Sequence, residues 1–120
     1  MGMTLAHEQL DVWRMAMDLA IRVYQATTAF PRHEQFGLTA QLRRAAVSVP
    51  ANIAEGKGRY HRKEFIQFLY HARGSLYEVL TLLKLAEELA YLSGTDHDRI
   101  VSLSKQVLGK LSGLINALKT

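Results

Sequence analysis

Helix-breaking residues are few and clustered in this chain, and that constrains the fold more than any other feature. Proline occurs only at Pro31 and Pro50, and apolar residues recur at helical spacing over long stretches. The breaks are Phe30-Pro31, Gly56-Lys57-Gly58 and Ser93-Gly94. They leave four predicted helices, over residues 9–29, 34–56, 62–92 and 95–118. Connections this short make successive helices antiparallel, so we expect an all-α, up-down-up-down four-helix bundle.

Size and composition indicate one ordinary globular domain. The 120 residues suffice for a single core, 48% are apolar and 22% are charged. The absence of cysteine excludes disulfides and thiolate metal sites and fits a reducing cytoplasm. No apolar run approaches the roughly 18 residues of a membrane span, and the N-terminus lacks a signal-peptide pattern. We expect a cytoplasmic domain over residues 9–120 after an extension over residues 1–8, in which Met1-Gly2 resembles a cloning remnant.

The first predicted helix carries more apolar surface than one bundle can bury. Its polar residues fall in one narrow stripe, and the rest of its circumference is apolar, including Met17, Ile21 and Tyr24. A bundle helix needs an apolar arc of somewhat over ~100°, and this arc is more than twice as wide. Self-association is the simplest way to bury the excess, so we predict a homo-oligomer with Met17, Ile21 and Tyr24 in the contact. The alternative is that Tyr24 and several alanines remain exposed on a monomer.

Apolar residues of the second predicted helix recur at i,i+3 and i,i+4 steps, and we expect these residues to face the core: Leu38, Leu42, Ala46, Val49 and Ile53. This helix also contains a proline. Pro50 has no amide hydrogen for the carbonyl of Ala46, and its ring crowds that carbonyl. We therefore expect a kinked second helix. Pro50 either shapes the bundle or exposes backbone to a ligand, and the structural interpretation is the simpler one.

Small residues occupy the middle of the third predicted helix, at Ala72, Gly74 and Ser75. Glycine inside a helix costs about 1 kcal/mol relative to alanine. We interpret this site as one where another backbone approaches closely.

Positive charge is concentrated in one segment. The chain carries a net +4, and the segment from Arg43 to Lys63 alone carries +5, because its six cations face the single anion Glu55. Such a local excess is typical of a surface that meets nucleic acid, although a solvated helix-loop-helix corner gives the same pattern. The candidate nucleic-acid contacts are Arg43, Arg44, Lys57, Arg59, Tyr60, Arg62 and Lys63. Tyr60 can stack on an unpaired base or fold back onto the bundle, and Arg43 or Arg44 can instead pair with a carboxylate.

Several short motifs occur in an order that is typical of one family. They are Leu10-Asp11-Val12-Trp13, Val23-Tyr24, Phe30-Pro31, Phe36-Gly37-Leu38, the run over residues 41–56, Glu64-Phe65 and Gly74-Ser75-Leu76. In these motifs the chain resembles the four-helix-bundle proteins encoded within 23S rRNA intervening sequences. The resemblance implies a homo-oligomer, with a closed pentamer as the expected form. It also implies a distant relation to the accessory variability proteins of retroelements, which bind RNA and a reverse transcriptase.

Two positions depart from the family pattern. His61 stands where a serine or threonine cap is expected before Glu64, and Ala90 stands where glycine is usual before Tyr91-Leu92. Neither departure threatens the fold, but both weaken the transfer of any loop-based role.

No complete set of catalytic groups is present in the sequence. Gly56-Lys57-Gly58 lacks the upstream glycine and the following Ser or Thr of a nucleotide-phosphate loop. No Glu-x-x-His lies on a predicted helix, so a di-iron site is not supported. Ser48, Asn52 and Glu55 share a face that has no histidine base. We therefore predict a protein that is not an enzyme and that uses no metal or cofactor.

Three functions remain open at this point. The first is an oligomeric scaffold that binds RNA or an RNA–protein complex through a basic corner. The second is an interaction adaptor for an acidic protein, with no physiological nucleic acid. The third is a small-ligand protein that uses a cavity at the oligomer axis. The basic segment and the family resemblance together favour the first, and none of the three involves a membrane.

Overall fold

The computed structural model describes residues 5–120, so the remnant inferred at Met1-Gly2 lies outside the described residues. Within this range the chain forms helices and no strand. The four α-helices are α1 (Asp11–Thr27), α2 (Leu38–Lys57), α3 (Arg62–Glu88) and α4 (Gly94–Lys119). Single-turn 3₁₀ helices, Ala6–Gln9 and Arg32–Glu34, precede α1 and α2. The predicted all-α fold is confirmed.

The helices are arranged in space in the order in which they follow along the chain. α1 packs against α2 and α4, and α3 packs against the same two helices, whereas the diagonal pairs do not approach each other within residues 5–120. This is the predicted up-down-up-down bundle. We call the end that holds the α2–α3 connection and the last turn of α4 the lower end. The upper end holds the α1–α2 and α3–α4 connections.

Each helix contributes one apolar stripe to a single core. The core residues predicted on the second helix are all buried, and they are Leu38, Leu42, Ala46, Val49 and Ile53. The largest fully buried side chains are leucines, isoleucines and valines drawn from all four helices. Burial of one such side chain stabilises the folded chain by about 1.5–3 kcal/mol, so these stripes set the helix orientations.

Glu34 determines where α2 begins. Periodicity extends the second predicted helix back to residue 34, but Arg32–Glu34 is a 3₁₀ turn and α2 starts at Leu38. The Oε1 atom of Glu34 accepts a hydrogen bond from the Leu38 amide at 3.1 Å, and this amide is one that a helix start leaves without an internal partner. Oε2 of Glu34 accepts one from the Tyr91 hydroxyl at 3.0 Å. The carboxylate therefore ties the two upper connections together.

α3 ends earlier than predicted because the backbone turns left-handed at Ala90. The φ angle of Ala90 is +63°. The amides of Ala90 and Tyr91 donate to the carbonyls of Glu87 and Ala86, each at 2.9 Å. This is a helix-ending geometry that usually employs glycine, since a side chain in the left-handed region costs about 1–2 kcal/mol. The family departure at Ala90 therefore falls on a strained position.

The neighbouring helix starts differ in their capping. Ser93 precedes α4, and its hydroxyl accepts a hydrogen bond from the Asp96 amide at 3.1 Å. His61 precedes α3 and makes no side-chain hydrogen bond to the helix. The departure at His61 therefore leaves the first turn of α3 without the cap that a serine or threonine would supply.

A close helix contact lies at Gly56, not at Gly74. A Cβ atom added to Gly74 would have nothing within 4 Å, so the prediction of close backbone approach at this residue is wrong. A Cβ atom added to Gly56 would lie 2.6 Å from the Cβ of Phe68 and 3.3 Å from the carbonyl oxygen of Phe65. α2 and α3 therefore pack closely beside their own connection, at the lower end.

α2 runs without interruption through Pro50, which is buried. In the same part of the helix, the Asn52 side-chain amide donates to the Ser48 carbonyl at 2.8 Å and to the Ser48 hydroxyl at 2.9 Å. The Ser48 hydroxyl also lies 2.8 Å from that of Ser75, which connects α2 to α3. These bonds brace the helix around the proline, and the kink itself stays a prediction.

Candidate nucleic-acid interface and apolar groove

The basic segment is divided between two parts of the bundle. Arg43 and Arg44 lie near the start of α2, towards the upper end, whereas the other candidates lie around the α2–α3 connection. At a rise of 1.5 Å per residue, Arg43 and Lys57 are about 21 Å apart along the axis of α2. The structure therefore brings five of the seven candidates together and leaves the arginine pair apart.

Arg43 is engaged in contacts with α1. Its Nε donates to the Thr27 hydroxyl at 2.7 Å and its Nη2 donates to the Tyr24 carbonyl at 3.2 Å. The guanidinium carbon lies 4.6 Å from the centroid of the Tyr24 ring. Arg43 thus donates to one backbone carbonyl and one hydroxyl near the end of α1, and its guanidinium group packs on the Tyr24 ring. Arg44 is exposed, and within residues 5–120 it pairs with no carboxylate.

Arg59, at the lower end, lies between two carboxylates. Its guanidinium nitrogens are 3.6 Å from Glu55 and 3.9 Å from Glu64, and its guanidinium carbon is 4.8 Å from the Phe68 ring centroid. Exposed ion pairs of this kind contribute about 0–1 kcal/mol, so they orient the side chain more than they stabilise the fold. Their charges nonetheless neutralise Arg59 locally, which makes it a weaker phosphate ligand than its neighbours.

Lys57, Arg62 and Lys63 are exposed, and no Asp or Glu side chain pairs with them in the described part of the chain. The Nζ atom of Lys57 lies 5.5 Å from the centroid of the Phe65 ring. The Nη1 atom of Arg62 donates to the carbonyl oxygen of Thr120 at 3.5 Å. These three cations remain available to an anionic partner.

The last turn of α4 adds a cation that sequence reasoning missed. Lys119 lies at this end, and its Nζ donates to the Tyr70 hydroxyl at 3.3 Å. The antiparallel order of the helices places the last turn of α4 at this end, but only the packing of α4 against α3 brings Lys119 beside Tyr70. We define the basic corner as Lys57, Arg59, Arg62, Lys63 and Lys119.

Tyr60 projects from the middle of the basic corner. It is 93% exposed, and its ring meets the His61 ring edge-on with the centroids 4.9 Å apart. The ring therefore does not fold back onto the bundle, which was one of the two alternatives. A shallow depression of about 250 Å³ lies beside it, between the α2–α3 connection and Leu118.

An apolar groove of about 390 Å³ runs along the outside of the bundle between α1 and α2. It is lined by Met17, Ala20, Ile21, Tyr24, Gln25, Val47 and Pro50. The three residues predicted for a subunit contact lie here side by side, each between about one third and one half exposed. Val47 and Pro50 complete the groove from α2, and only the packing of α2 against α1 identifies them.

One group of side chains has the spacing of metal ligands within residues 5–120. It joins the end of α3 to the start of α4: the Nδ1 atom of the buried His97 lies 3.2 Å from Glu87 and 3.2 Å from Asp98. Lys84 lies 3.1 Å from the other oxygen of Glu87. The Glu87 carboxylate and, to a smaller extent, the neighbouring Glu88 carboxylate raise the pKa of Lys84. With a lysine already on Glu87, we interpret the group as a polar network in which the contact between Glu87 and His97 joins α3 to α4.

Glu34 also forms the principal electrostatic contact of the upper end. Its hydrogen bond from the Leu38 amide, supported by the one from Tyr91, lowers the pKa of the Glu34 carboxyl. The same carboxylate raises the pKa of the Tyr91 phenol, since a neutral hydroxyl is needed to donate. The two connections are therefore joined by a hydrogen bond that the protonated Tyr91 donates and that is strongest when Glu34 is ionised.

The comparisons with known proteins agree with this architecture. The family model of the 23S rRNA-intervening sequence protein matches residues 8–113. The chain belongs to this family. It is also similar to the crystal structure of a protein with unknown function from the S23 ribosomal protein family of Bacteroides thetaiotaomicron, with a TM-score of 0.81 and 23% sequence identity. That alignment covers 88% of this chain and 95% of the other, and at this identity it supports the fold alone.

Two further observations bear on the class of protein. No curated protein matches the chain. Within residues 5–120, none of the helices combines the length and the apolar character that a membrane span requires. Family membership therefore identifies the architecture without naming a reaction.

Proposed function

We propose that this member of the 23S rRNA-intervening sequence family is a non-enzymatic, cytoplasmic, oligomeric scaffold that binds RNA or an RNA–protein complex through its basic corner. The observation that carries the proposal is the lower end itself. Lys57, Arg62 and Lys63 are exposed there without an acidic partner in the described chain, and Tyr60 projects among them. Cations release counterions from a phosphate backbone, and an exposed aromatic ring offers a stacking surface for an unpaired base.

The arrangement favours single-stranded RNA over a duplex. A projecting tyrosine reaches the face of a base only where the base is not stacked in a helix. The cations carry no base-specific geometry, so we expect little sequence preference. Arg59 contributes less than its neighbours because Glu55 and Glu64 already face it. Arg43 contributes least, because its donors are used within the bundle.

The test is fluorescence anisotropy with a single-stranded RNA and with its duplex, between about 50 and 200 mM salt. The triple substitution of Lys57, Arg62 and Lys63 by glutamine should weaken binding of the single strand and reduce the slope of log affinity against log salt by about 2. The matched control replaces three exposed cations elsewhere by glutamine, at Arg99, Lys105 and Lys110, and should leave binding nearly unchanged. Tyr60→Ala should reduce the preference for single strands while leaving the salt slope unaltered.

Absence of RNA binding by the wild-type protein at about 50 mM salt would contradict the RNA part of the proposal. The adaptor function, in which the basic corner meets an acidic protein, would then replace it. Equal losses in the triple variant and in its matched control would show that total charge matters, not the corner.

The assembly part of the proposal rests on the apolar groove. Ile21 and Tyr24 are about half exposed beside Val47, and a soluble surface rarely leaves such a patch uncovered. Light scattering coupled to size exclusion should give a mass several times the 13.5 kDa of one chain, with five copies as the expected number. Ile21→Lys should reduce that mass, because it places an unpaired charge in an apolar contact. Asp18→Asn, which loses only an exposed ion pair with Arg22, is the control.

A clean monomer at micromolar concentration would contradict the assembly, whatever the RNA measurements give.

A further inference from the structure

A pocket of about 270 Å³ lies at the upper end, between the last turn of α1, the α1–α2 connection and the first turns of α2. Within residues 5–120 no acidic side chain lines it, whereas Arg32 and Arg43 both do. Three threonines add hydroxyl groups, and Phe30 and Pro31 form an apolar wall. We call this the upper pocket. It is separate from the basic corner, because Arg43 and Lys57 are about 21 Å apart along the axis of α2.

Arg43 reaches the upper pocket with its guanidinium group already oriented. The Nε atom donates to the Thr27 hydroxyl at 2.7 Å, and Nη2 donates to the Tyr24 carbonyl at 3.2 Å. A guanidinium group has five N–H donors, so these two bonds leave three of them without an acceptor within residues 5–120. The Tyr24 ring, 4.6 Å from the guanidinium carbon, restricts the group further. An arginine fixed in this way loses little side-chain entropy when it binds an oxyanion.

The hydroxyl of Thr39 is a second unused group. The hydroxyls of Thr27 and Thr28 donate to carbonyls of α1 at 2.8 Å and 3.0 Å. Thr39 is only 7% exposed, yet in the described part of the chain its hydroxyl makes no hydrogen bond. Within residues 5–120 every fully enclosed side-chain polar atom has a partner, so the Thr39 hydroxyl is open to solvent, at the pocket that it lines. A nearly buried hydroxyl that faces a pocket without a partner indicates a ligand.

We propose that the upper pocket binds one phosphate group of a small molecule, held by Arg32, Arg43 and Thr39. The planar fork of an arginine matches two phosphate oxygens, and the hydroxyl donates one more hydrogen bond. The start of α2 adds the positive end of a helix dipole, which favours an anion. The volume is close to the lower limit of about 300 Å³ for small-molecule pockets. It suits a phosphate with a small organic group, which would pack on Phe30 and Pro31.

The one carboxylate of the α1–α2 connection does not oppose this assignment. Glu34 is the only acidic residue between Thr28 and Gly37, and it does not line the upper pocket. Its two oxygens accept hydrogen bonds from the Leu38 amide at 3.1 Å and from the Tyr91 hydroxyl at 3.0 Å. The two arginines therefore face one carboxylate that is already engaged, and an excess of positive charge is left for a phosphate.

The test is a titration with inorganic phosphate, followed through the amide resonances of the ¹⁵N-labelled protein at constant ionic strength. Resonances from the first turns of α2 should shift and saturate, and sodium chloride at the same ionic strength should not reproduce the shifts. Sodium acetate should bind more weakly, because a carboxylate offers fewer oxygens to the three donors. Phenyl phosphate should bind several-fold more tightly than inorganic phosphate, because its ring can pack on the apolar wall.

Thr39→Val is the most informative variant, because it removes the hydroxyl and keeps the shape of the side chain. It should weaken phosphate binding about threefold without loss of stability, and Arg32→Gln and Arg43→Gln should each weaken it about tenfold. Arg44→Gln is the matched control, at an exposed neighbour that does not line the upper pocket, and should keep the affinity. Circular dichroism checks the fold of each variant. If Arg43→Gln unfolds, the other two variants still test the site.

Each contrary result overturns a defined part of the proposal. The absence of saturable shifts at the start of α2 contradicts the site, and so does an unchanged affinity in both Thr39→Val and Arg32→Gln. Acetate that binds as tightly as phosphate contradicts the choice of phosphate. Phenyl phosphate that binds no more tightly than inorganic phosphate contradicts the organic part of the ligand. The triple glutamine variant of the basic corner should keep the shifts, and their loss would assign the phosphate to that corner.

Discussion

The two ends of the bundle connect antiparallel helices by different means. At the lower end α2 and α3 pack so closely at Gly56 that a Cβ atom there would overlap Phe68. At the upper end the connections are held by hydrogen bonds to Glu34, which accepts from both Leu38 and Tyr91. The close contact at the lower end uses no charged side chain, so most of the cations there stay exposed and without an acidic partner within residues 5–120. The lower end also holds more cations than carboxylates, and this excess of positive charge makes it the candidate for an anionic partner.

Each end also carries one departure from the family pattern, and the two departures have opposite characters. At the lower end His61 omits a favourable capping bond, whereas at the upper end Ala90 accepts an unfavourable backbone conformation. A single substitution at each position should increase the stability of the fold, so the comparison can be tested.

The largest expected effect is at the close contact of the lower end. Gly56→Ala should destabilise the fold by about 1–2 kcal/mol, since overpacking costs about 1–3 kcal/mol and the better helix propensity returns up to about 1. Urea unfolding followed by circular dichroism measures the change. Gly74→Ala is the matched control in an exposed helix position and should stabilise the fold by up to about 1 kcal/mol. If Gly56→Ala leaves the free energy of unfolding unchanged, α2 and α3 can move apart at this contact without loss of stability.

At the upper end, Ala90→Gly should stabilise the fold by about 1 kcal/mol. Glycine adopts the left-handed backbone of this position without the steric penalty that alanine pays, although it also gains entropy in the unfolded chain. The measurement is again urea unfolding. The control is Ala29→Gly, at an exposed residue whose backbone is not left-handed. This variant should not stabilise the fold. Loss of stability in Ala90→Gly would contradict the strain assigned to this turn.

A smaller gain is expected at the start of α3. His61→Ser should add a side-chain acceptor for an amide of the first turn and stabilise the fold by about 0.5–1 kcal/mol. His61→Ala, which cannot cap, should give no gain. If both variants have the same stability as the wild type, the amides of this turn are already satisfied by water.

The smallest effect concerns the pH dependence of the upper end. The pKa of Glu34 is lowered in the folded chain, so its contribution to stability is complete above the ordinary carboxyl pKa and is lost as pH falls through the lowered value. The pKa of Tyr91 is raised, so its contribution is lost only as pH rises through that raised value. Glu34→Gln should flatten the acid-side decline of Tm below about pH 4. Asp18→Asn is the control, and an unchanged acid-side profile in Glu34→Gln would exclude the carboxylate from this role.

Most of the fold was predictable from the sequence, and the largest errors lie at two helix boundaries, the start of α2 and the end of α3. The apolar stripes placed Leu42, Val49 and Ile53 in the core, and all three are buried. The end of α3 was placed at residue 92 because periodicity continues there, whereas the left-handed turn at Ala90 stops the helix earlier. Periodicity measures where a helix would be buried, and it does not register the backbone geometry that terminates it.

The candidate site was predictable only in part, for a related reason. The sequence analysis grouped Arg43 with Lys57 because they are close in the sequence. Both lie on α2, however, and they are about 21 Å apart along its axis. The sequence analysis also missed Lys119, which reaches the basic corner from the far end of the chain. The three groove residues from α1 were found because excess apolar surface is visible on a single helix. Val47 and Pro50 were not, because only the neighbouring helix makes them part of a groove.

The sequence by itself determined four amphipathic helices, the short connections that make them antiparallel, and the family. These follow from local periodicity and from breakers at fixed positions, which require no knowledge of distant contacts. The tertiary structure alone decided which glycine sits in a close contact, which arginines are engaged and which are free, and which exposed residues share one surface. Those properties depend on pairs of side chains that are far apart in the chain, and their distances are set by how the helices pack.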